Sequence, residues 1–294
     1  MITERPAPSD DEFERERPRL EGLAYRITGS RATAEDVVQE AWLRWEGTDR
    51  DAVEKPAAWL TTATSRLALD HLKSAQHTRE TYVGPWLPEV AVAEPGPEEQ
   101  AELAESVTIG FLALLERLGP TERVVFLLAD VFGTPFDEIA RVVDKSPEAC
   151  RQIASRARTR VREGRPRFAP TDDDAWQVAL AFLTAAQVGD LDALVSLLAD
   201  DALAISDGGA DHHAARRPVV AERIPRFVVN LTARIPAQAE FVAMPINGEP
   251  GIVTYVDGEP TIAVAVSVAD GQVQRMWSIL NPDKLRTLTS RPIV

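Results

Sequence analysis

The sequence lacks the features that would place it outside the cytoplasm. Its single cysteine, Cys150, has no partner for an internal disulfide, which fits a reducing compartment. Apolar runs such as Phe126–Ala129 and Ala263–Val266 are much shorter than the ~18–20 residues that span a membrane. The amino terminus is polar and charged, unlike a signal peptide. We therefore expect a cytoplasmic protein without membrane-spanning segments.

Basic residues are outnumbered by acidic ones, yet one short stretch is rich in arginine. The chain has 32 Lys and Arg against 46 Asp and Glu, a net charge of -14. Seven arginines nevertheless lie between Arg151 and Arg167. A short basic stripe on an acidic protein suggests that contact with a polyanion is confined to a narrow surface.

Changes in composition divide the chain. The segment from Trp86 to Glu105 has six acidic residues and no basic ones, which is typical of a solvated linker. A second break follows the arginine stripe, and strand signals concentrate after it. At roughly 100–200 residues per domain, 294 residues suit two or three domains. We expect helical domains at 10–82 and 106–168, a linker at 83–105, and an α+β domain at 172–288.

The arginine stripe belongs to a predicted helix-turn-helix. One helix is expected over Phe136–Val143, and a second is opened by Ser146 as its N-cap, with Pro147 at the first helical position. Small residues on the second helix recur at a spacing that predicts a buried stripe: Cys150, Ala154, Ala157 and Val161. This placement makes Cys150 a core residue rather than a reactive thiol.

The opposite side of the second helix is suited to DNA. In a major groove, base edges would be reached by Glu148, Arg151, Gln152 and Ser155. Phosphates would suit Arg156, Arg158, Arg160 and Arg162. The alternative is a solvated, arginine-rich helix end favoured by the helix dipole. The capped turn favours DNA, with a predicted site formed by Ser146, Glu148, Arg151, Gln152, Ser155, Arg156 and Arg158.

The string "LLERLGPTERVVFLLADVFGTPFDEIARVVDKSPEACRQIASRARTRVR" resembles region 4 of the bacterial extracytoplasmic-function (ECF) sigma factors, which reads the minus-35 promoter element. A single helix-turn-helix also fits many repressors. The first segment, "AYRITGSRATAEDVVQEAWLRW", resembles sigma region 2. Both resemblances occur in the order expected of a sigma factor.

In the first segment, an amphipathic helix has an apolar face formed by Val37, Val38, Ala41, Trp42 and Trp45. This pattern alone indicates only core packing with a solvated far face. The resemblance implies that "DVVQEAW" binds the clamp helices of the largest subunit of core RNA polymerase. By that match, the polymerase-binding residues are Asp36, Gln39 and Glu40.

The next block, "KPAAWLTTATSRLALDHLKSAQHTRE", resembles the part of region 2 that engages and opens the minus-10 element. The resemblance implies contacts to promoter DNA from Trp59, Arg66, Lys73, His77 and Arg79. Opening a duplex requires cations along the strand and an aromatic surface for an unstacked base. A tryptophan at this spacing also suits a core. No Cys or carboxylate partners accompany His71 or His77 at metal-ligand spacing, so no metal site is predicted.

The last segment predicts an α+β cone with a cavity under a curved sheet. Hairpin turns are indicated at Asp257–Gly258 and Asp270–Gly271, and a helix is expected around Pro218–Ala233. The segment resembles SnoaL-like (NTF2-like) domains, which extend one ECF subgroup. The expected fold is multidomain, with two all-α sigma domains followed by this cone.

Three strings carry the subgroup resemblance: "YVGPWLPEV" in the linker, "SDGGA" and "NPDKL". The resemblance implies regulation in cis, by contact between the linker and the C-terminal domain. The residues implied are Trp86, Leu87, Pro88, Glu89, Asp207, Gly208, Gly209, Asn281, Pro282, Asp283 and Lys284. The chain departs from the family at Val90, where a proline is usual, and at Ala210 and Asp211, which replace a glycine and a lysine.

Two alternatives to a sigma factor stay open at this point. One is a stand-alone transcriptional regulator with a ligand-sensing domain. The other is a SnoaL-like isomerase or cyclase fused to a DNA-binding module, with Asp207, Asp211, His212 and His213 as the available acid–base groups. Adjacent histidines in a polar loop without a partner acid disfavour catalysis. We expect no catalytic residue and no cofactor, and leave open a small ligand in the C-terminal cavity.

Overall fold

The computed structural model describes residues 10–80, 84–90, 108–164, 173–209 and 214–288. The chain divides into two compact units: Met1–Glu80 with Leu115–Glu163, and Thr81–Leu114 with Gly164–Val294. No helix in the described part of the chain is long and apolar enough to span a membrane.

The first unit begins with three helices that pack on one another. They are α1 (Asp10–Thr28), α2 (Arg31–Glu46) and α3 (Pro56–Glu80). Helix α2 is capped by Ser30, whose side chain accepts a hydrogen bond from the Thr33 amide at 3.1 Å. Its buried face consists of Ala34, Val37, Val38, Ala41 and Trp45. Four of these residues were predicted, whereas Trp42, also predicted for this face, is only half-buried.

The rest of the first unit contains the helix-turn-helix. The helices are α4 (Ile109–Leu115), which belongs to the second unit as far as Leu114, α5 (Pro120–Phe126), α6 (Phe136–Val143) and α7 (Pro147–Gly164). Asp144 ends α6 in the left-handed region at φ 53°. The Ser146 hydroxyl accepts from the Ala149 amide at 3.2 Å, which confirms the predicted N-cap. The predicted stripe from Cys150 to Val161 is buried.

The second unit is a six-stranded sheet with helices. Its helices are α8 (Asp173–Val188), α9 (Leu191–Leu197), α10 (Ile224–Thr232) and α11 (Pro282–Leu285). Its strands are β1 (Leu198–Asp207), β2 (Val219–Val220), β3 (Glu240–Ile246), β4 (Glu249–Val256), β5 (Glu259–Ala269) and β6 (Gln272–Ile279). The order is β2-β1-β6-β5-β4-β3, with β1 parallel to β6 and the other pairs antiparallel.

Tight turns set the register of the hairpins. The predicted turns at Asp257–Gly258 and Asp270–Gly271 are present, with positive φ at both residues of each. A third turn of this kind, at Asn247–Gly248, joins β3 to β4. The helix expected around Pro218–Ala233 is wrong at its start, because Val219 and Val220 pair with β1 and the α-helix begins at Ile224.

Both faces of the sheet are covered. One face packs on α8, α9 and α10 in an apolar cluster that includes Phe182 and Val266. The other face packs on the linker residue Leu87 and on Ile109 and Leu285. Since side chains alternate along β1, its residues point in turn to the helices and to the linker. The linker residues Leu87 and Val90 are therefore part of the core of the second unit.

Candidate functional site

The exposed face of α7 presents the side chains predicted to read bases. Arg151, Gln152 and Ser155 are exposed, and each lies outside the buried stripe. Arg151 makes an ion pair with Glu148 at 3.1 Å, and its guanidinium lies 5.5 Å from the centre of the Phe136 ring. A planar guanidinium held on a helix face has the geometry for a bidentate contact to guanine.

The arginines predicted to contact phosphates differ in their partners. Arg158 pairs with Asp130 at 2.8 Å, and Arg160 pairs with Glu122 at 2.5 Å. Arg156 is exposed and has no ion pair with the described residues. Arg156 is therefore available for a phosphate. Arg158 and Arg160 would first have to break their ion pairs with Asp130 and Glu122.

The predicted polymerase-binding residues share the solvent side of α2. Asp36, Gln39 and Glu40 are exposed, and Glu40 pairs with Arg44 at 2.7 Å. Leu43, one turn after Gln39, is 54% exposed. This face therefore combines an exposed leucine with exposed polar side chains, a combination that also occurs at protein interfaces.

Helix α3 carries the residues predicted to engage the minus-10 element. Trp59 is half-buried, with its ring centre 5.2 Å from that of Trp45. Lys73 is exposed, and Arg66 donates to the Arg141 carbonyl at 2.6 Å. His77 and Arg79 also lie on α3, but their side chains fall outside the described residues.

Arg123, which the sequence analysis did not single out, joins the two helical halves of the first unit. Its side chain is 2% exposed and donates to the carbonyl oxygens of Leu115 and Ile27, both at 3.0 Å. It also pairs with Glu116 at 2.8 Å. Ile27 lies on α1 and Arg123 on α5, so one arginine connects both halves. An arginine inside the apolar run "ERVVFLL" is the sequence signal that could have indicated this role.

The linker is anchored to the second unit by a buried ion pair. Asp207 and Lys284 lie 2.6 Å apart, with side chains 0% and 4% exposed. The Leu87 amide donates to Asp207 Oδ2 at 2.8 Å, and the Lys284 ammonium donates to the Leu87 carbonyl. The same ammonium lies 3.5 Å from the centre of the Trp86 ring. We call these four residues the linker anchor.

Further hydrogen bonds extend the contact on both sides. The Val90 amide donates to the Lys284 carbonyl at 3.3 Å, and the Thr287 hydroxyl donates to the Val90 carbonyl at 2.7 Å. The side chain of Asn247 donates to the Glu89 carbonyl at 3.2 Å. The family proline at position 90 has no amide hydrogen, so valine adds a hydrogen bond here.

The two other strings that carry the subgroup resemblance shape the anchor. Gly209, at φ 67°, donates its amide to Asp207 Oδ1 at 3.1 Å, and a Cβ there would approach the Asn281 side chain to 3.0 Å. Asn281 caps α11, at whose first position Pro282 lies. Gly208 and Pro88, which the resemblance also implies, are both buried. Asp283 instead forms an exposed pair with Arg286. Ala210, Asp211, His212 and His213 lie outside the described residues.

Glu249 is a buried ionisable residue that the sequence analysis missed, two positions after Asn247, whose side chain contacts the linker. It is 6% exposed at the start of β4, directly after the Asn247–Gly248 turn. Burial raises the pKa of its carboxyl to about 8. The carboxyl is therefore protonated in the folded protein at neutral pH.

Comparison with known proteins agrees with this arrangement. The model of Sigma-70 region 2 matches residues 13–78, and that of Sigma-70, region 4 matches residues 110–161. The chain is 42% identical over 288 residues to the ECF RNA polymerase sigma factor SigJ of Mycobacterium tuberculosis, covering 93% of this chain and 92% of that protein. It is 33% identical over 275 residues to the probable ECF RNA polymerase sigma factor SigI of the same species, covering 92% of each.

The match extends to a solved structure. The crystal structure of Mycobacterium tuberculosis SigJ superposes with a TM-score of 0.75 at 38% identity, covering 94% of this chain and 98% of that one. The helical regions and the C-terminal sheet domain are thus present in both. The chain belongs to the ECF RNA polymerase sigma factors, and it carries a C-terminal α+β domain in addition to regions 2 and 4.

Proposed function

We propose which surface of this sigma factor binds each of its partners and which contact regulates it. The family binds core RNA polymerase and directs promoter recognition and transcription initiation. Within that function, we assign the minus-35 element to α7, the minus-10 element to α3, the polymerase clamp helices to α2, and regulation in cis to the linker anchor. The observation that carries the regulatory assignment is the buried contact of Asp207, Lys284 and Leu87.

We infer that α7 reads bases with Arg151 and grips phosphates with Arg156. In a holoenzyme binding assay, Arg151→Ala should cost about 1–3 kcal/mol at one base position, since a bidentate base contact is worth that much. Arg156→Ala should weaken all promoters alike and reduce the salt slope by about one. A uniform loss in both variants would show that Arg151 contacts a phosphate instead.

For the polymerase, we propose that Gln39 and Glu40 are the main polar anchors beside Leu43. The double variant Gln39→Ala, Glu40→Ala should weaken capture of core polymerase, because a few interface residues carry most of the binding energy. The matched control is Asp192→Ala, which also changes an exposed acid, on α9. Equal capture by the variant, the control and the wild type would remove α2 from the interface.

The linker anchor suits a regulatory contact. Burying Leu87 and placing the Lys284 ammonium over the Trp86 ring favour the contact, and the entropy lost on ordering the linker opposes it. Polymerase binding shifts this equilibrium by as much as it favours the docked or the released linker. Trp86→Ala should therefore increase protease cleavage between residues 84 and 90, and unchanged cleavage would contradict the proposal.

The alternatives differ in what they require. A stand-alone regulator needs no polymerase contact, so a polymerase-dependent transcript distinguishes it from a sigma factor. A fused enzyme needs an acid–base pair in the C-terminal domain, and the described Asp207 is committed to Lys284 and the Leu87 amide. We infer that the protein acts without chemistry or a cofactor of its own, in the cytoplasm where the polymerase works.

A further inference from the structure

One stretch of the second unit is basic although its surroundings are acidic. Residues 173–288 contain 15 Asp and Glu against eight Lys and Arg. Five of those eight cations nevertheless fall within residues 214–234, where Glu222 is the one acid and the net charge is +4. We call the five the C-terminal arginines: Arg216, Arg217, Arg223, Arg226 and Arg234.

The C-terminal arginines are exposed, and none of them makes an ion pair with a residue that the structure describes. Other arginines of the chain are neutralised by a neighbouring carboxylate, as Arg17 is by Glu14 and Arg286 by Asp283. A group of like charges without a counter-charge repels itself and attracts anions. The stretch therefore has the electrostatic character of a surface that binds a polyanion.

Three of these arginines lie along one side of α10 and its flanks. Arg223 directly precedes the helix with right-handed helical backbone angles, and Arg226 and Arg234 follow it at i+3 and i+11. At a rise of 1.5 Å per residue, the row is about 16 Å long. Arg216 and Arg217 come just before β2, the edge strand of the sheet. One strand of duplex DNA presents about five phosphates over the length of this row.

The composition of the stretch favours a duplex backbone over a protein or a single strand. Within residues 214–234, the large apolar side chain that is exposed is Val220, whereas protein interfaces have an apolar centre depleted of charge. Phe227, the one aromatic residue of the stretch, packs against the apolar cluster under the helices. It is therefore not a platform on which unpaired bases stack, as single-strand binding requires.

We propose that the C-terminal domain contacts duplex DNA through the C-terminal arginines, independently of base sequence. Their guanidinium groups pair with phosphate oxygens, which the planar fork of an arginine matches. The contact adds to those assigned to α7 and α3. It raises the affinity of the holoenzyme for all promoters alike, because phosphate contacts carry no sequence information directly.

The test measures equilibrium binding of reconstituted holoenzyme to a promoter duplex that extends beyond both elements, as a function of salt concentration. The variant combines Arg223→Gln with Arg226→Gln. Each lost phosphate contact reduces the salt slope by about 0.9, so the variant's slope should fall by about 1.8. Raising the salt from about 50 to 200 mM should therefore weaken the variant roughly 12-fold less than the wild type. Arg223→Lys with Arg226→Lys keeps both charges and should keep the slope.

The matched control combines Arg17→Gln with Arg286→Gln, which removes two charges from arginines already paired with Glu14 and Asp283. It should bind with the slope of the wild type. The proposal is overturned if the Arg223 and Arg226 glutamine variant keeps the full slope. It is also overturned if the control lowers the slope equally, because the effect is then only that of overall charge.

Two further outcomes would also overturn the proposal. A change in the preference between two promoters would show that these arginines read bases. Parallel titrations use a single-stranded RNA in place of the duplex. If the glutamine variant loses affinity for the RNA and not for the duplex, the C-terminal arginines bind RNA instead.

Discussion

Replacing Asp207 by asparagine should release the linker while changing almost no volume. The carboxylate accepts hydrogen bonds from the Leu87 amide through Oδ2, from the Gly209 amide through Oδ1 and from Lys284. An asparagine side chain accepts with its oxygen only. Since the Leu87 amide and the Lys284 ammonium share Oδ2, the oxygen takes that position and the NH₂ group meets the Gly209 amide. The buried ammonium of Lys284 also loses its counter-charge.

The free-energy cost of Asp207→Asn can be worked out from these contacts. Removing one partner of a buried ion pair costs about 3–5 kcal/mol. The hydrogen bond of the Leu87 amide to a charged oxygen, worth about 1.5–3 kcal/mol, becomes one to a neutral oxygen, worth about 0.5–1.5 kcal/mol. At 1.4 kcal/mol per factor of ten, this difference of about 1–1.5 kcal/mol should lower its protection from hydrogen exchange roughly 5- to 12-fold.

Hydrogen exchange of the full chain measures this effect directly, with Leu87 and Val90 as reporter amides. The control is Asp283→Asn, the same chemical change in an exposed pair with Arg286 one residue from Lys284. It should change protection little, because exposed pairs contribute about 0–1 kcal/mol. Unchanged protection of Leu87 in Asp207→Asn, or an equal loss in both variants, would refute the anchor.

Other predictions concern the remaining buried and paired charges. Arg123→Met should lower the free energy of unfolding of the first unit by about 3–5 kcal/mol in urea titrations, because Glu116 and two carbonyl oxygens lose their partner. Glu249 has a folded pKa of about 8, above the unfolded value, so the folded state binds the extra proton and stability should fall as pH rises from about 4.5 to 8. Glu249→Gln should abolish that loss of stability. If the variant loses stability with pH in the same way as the wild type, Glu249 is not the group responsible. Asp130→Asn should free Arg158 and tighten binding to all promoters alike, visible as a steeper salt slope.

The parts of the fold that depend on nearby residues could be predicted from the sequence. The helix-turn-helix was one of them, because the Ser146 cap and the stripe from Cys150 to Val161 are local patterns. The start of α10 was predicted wrongly, because Val219 and Val220 pair with β1 instead of beginning the helix. This pairing depends on a distant strand, which local propensity does not include.

Contacts between distant residues could not be predicted in the same way. Leu87 and Asp207 are 120 residues apart in the sequence. Only the resemblance to the ECF subgroup indicated that the segments containing them are in contact. Arg158 was assigned to phosphates by its charge, yet Asp130, 28 residues earlier, pairs with it. The roles of the predicted DNA, polymerase and regulatory residues, and the domain boundaries, stay predictions.

Run-off transcription by holoenzyme reconstituted from core polymerase and the full chain tests the central claim most directly. The account predicts a polymerase-dependent transcript from a promoter selected by the holoenzyme. It further predicts that Lys284→Met, which removes the ammonium that holds Leu87 and Trp86, changes the transcript yield, whereas Asp283→Asn does not. Absence of a promoter-specific transcript would contradict the proposed promoter and polymerase contacts. A transcript that Lys284→Met leaves unchanged would contradict regulation through the linker anchor.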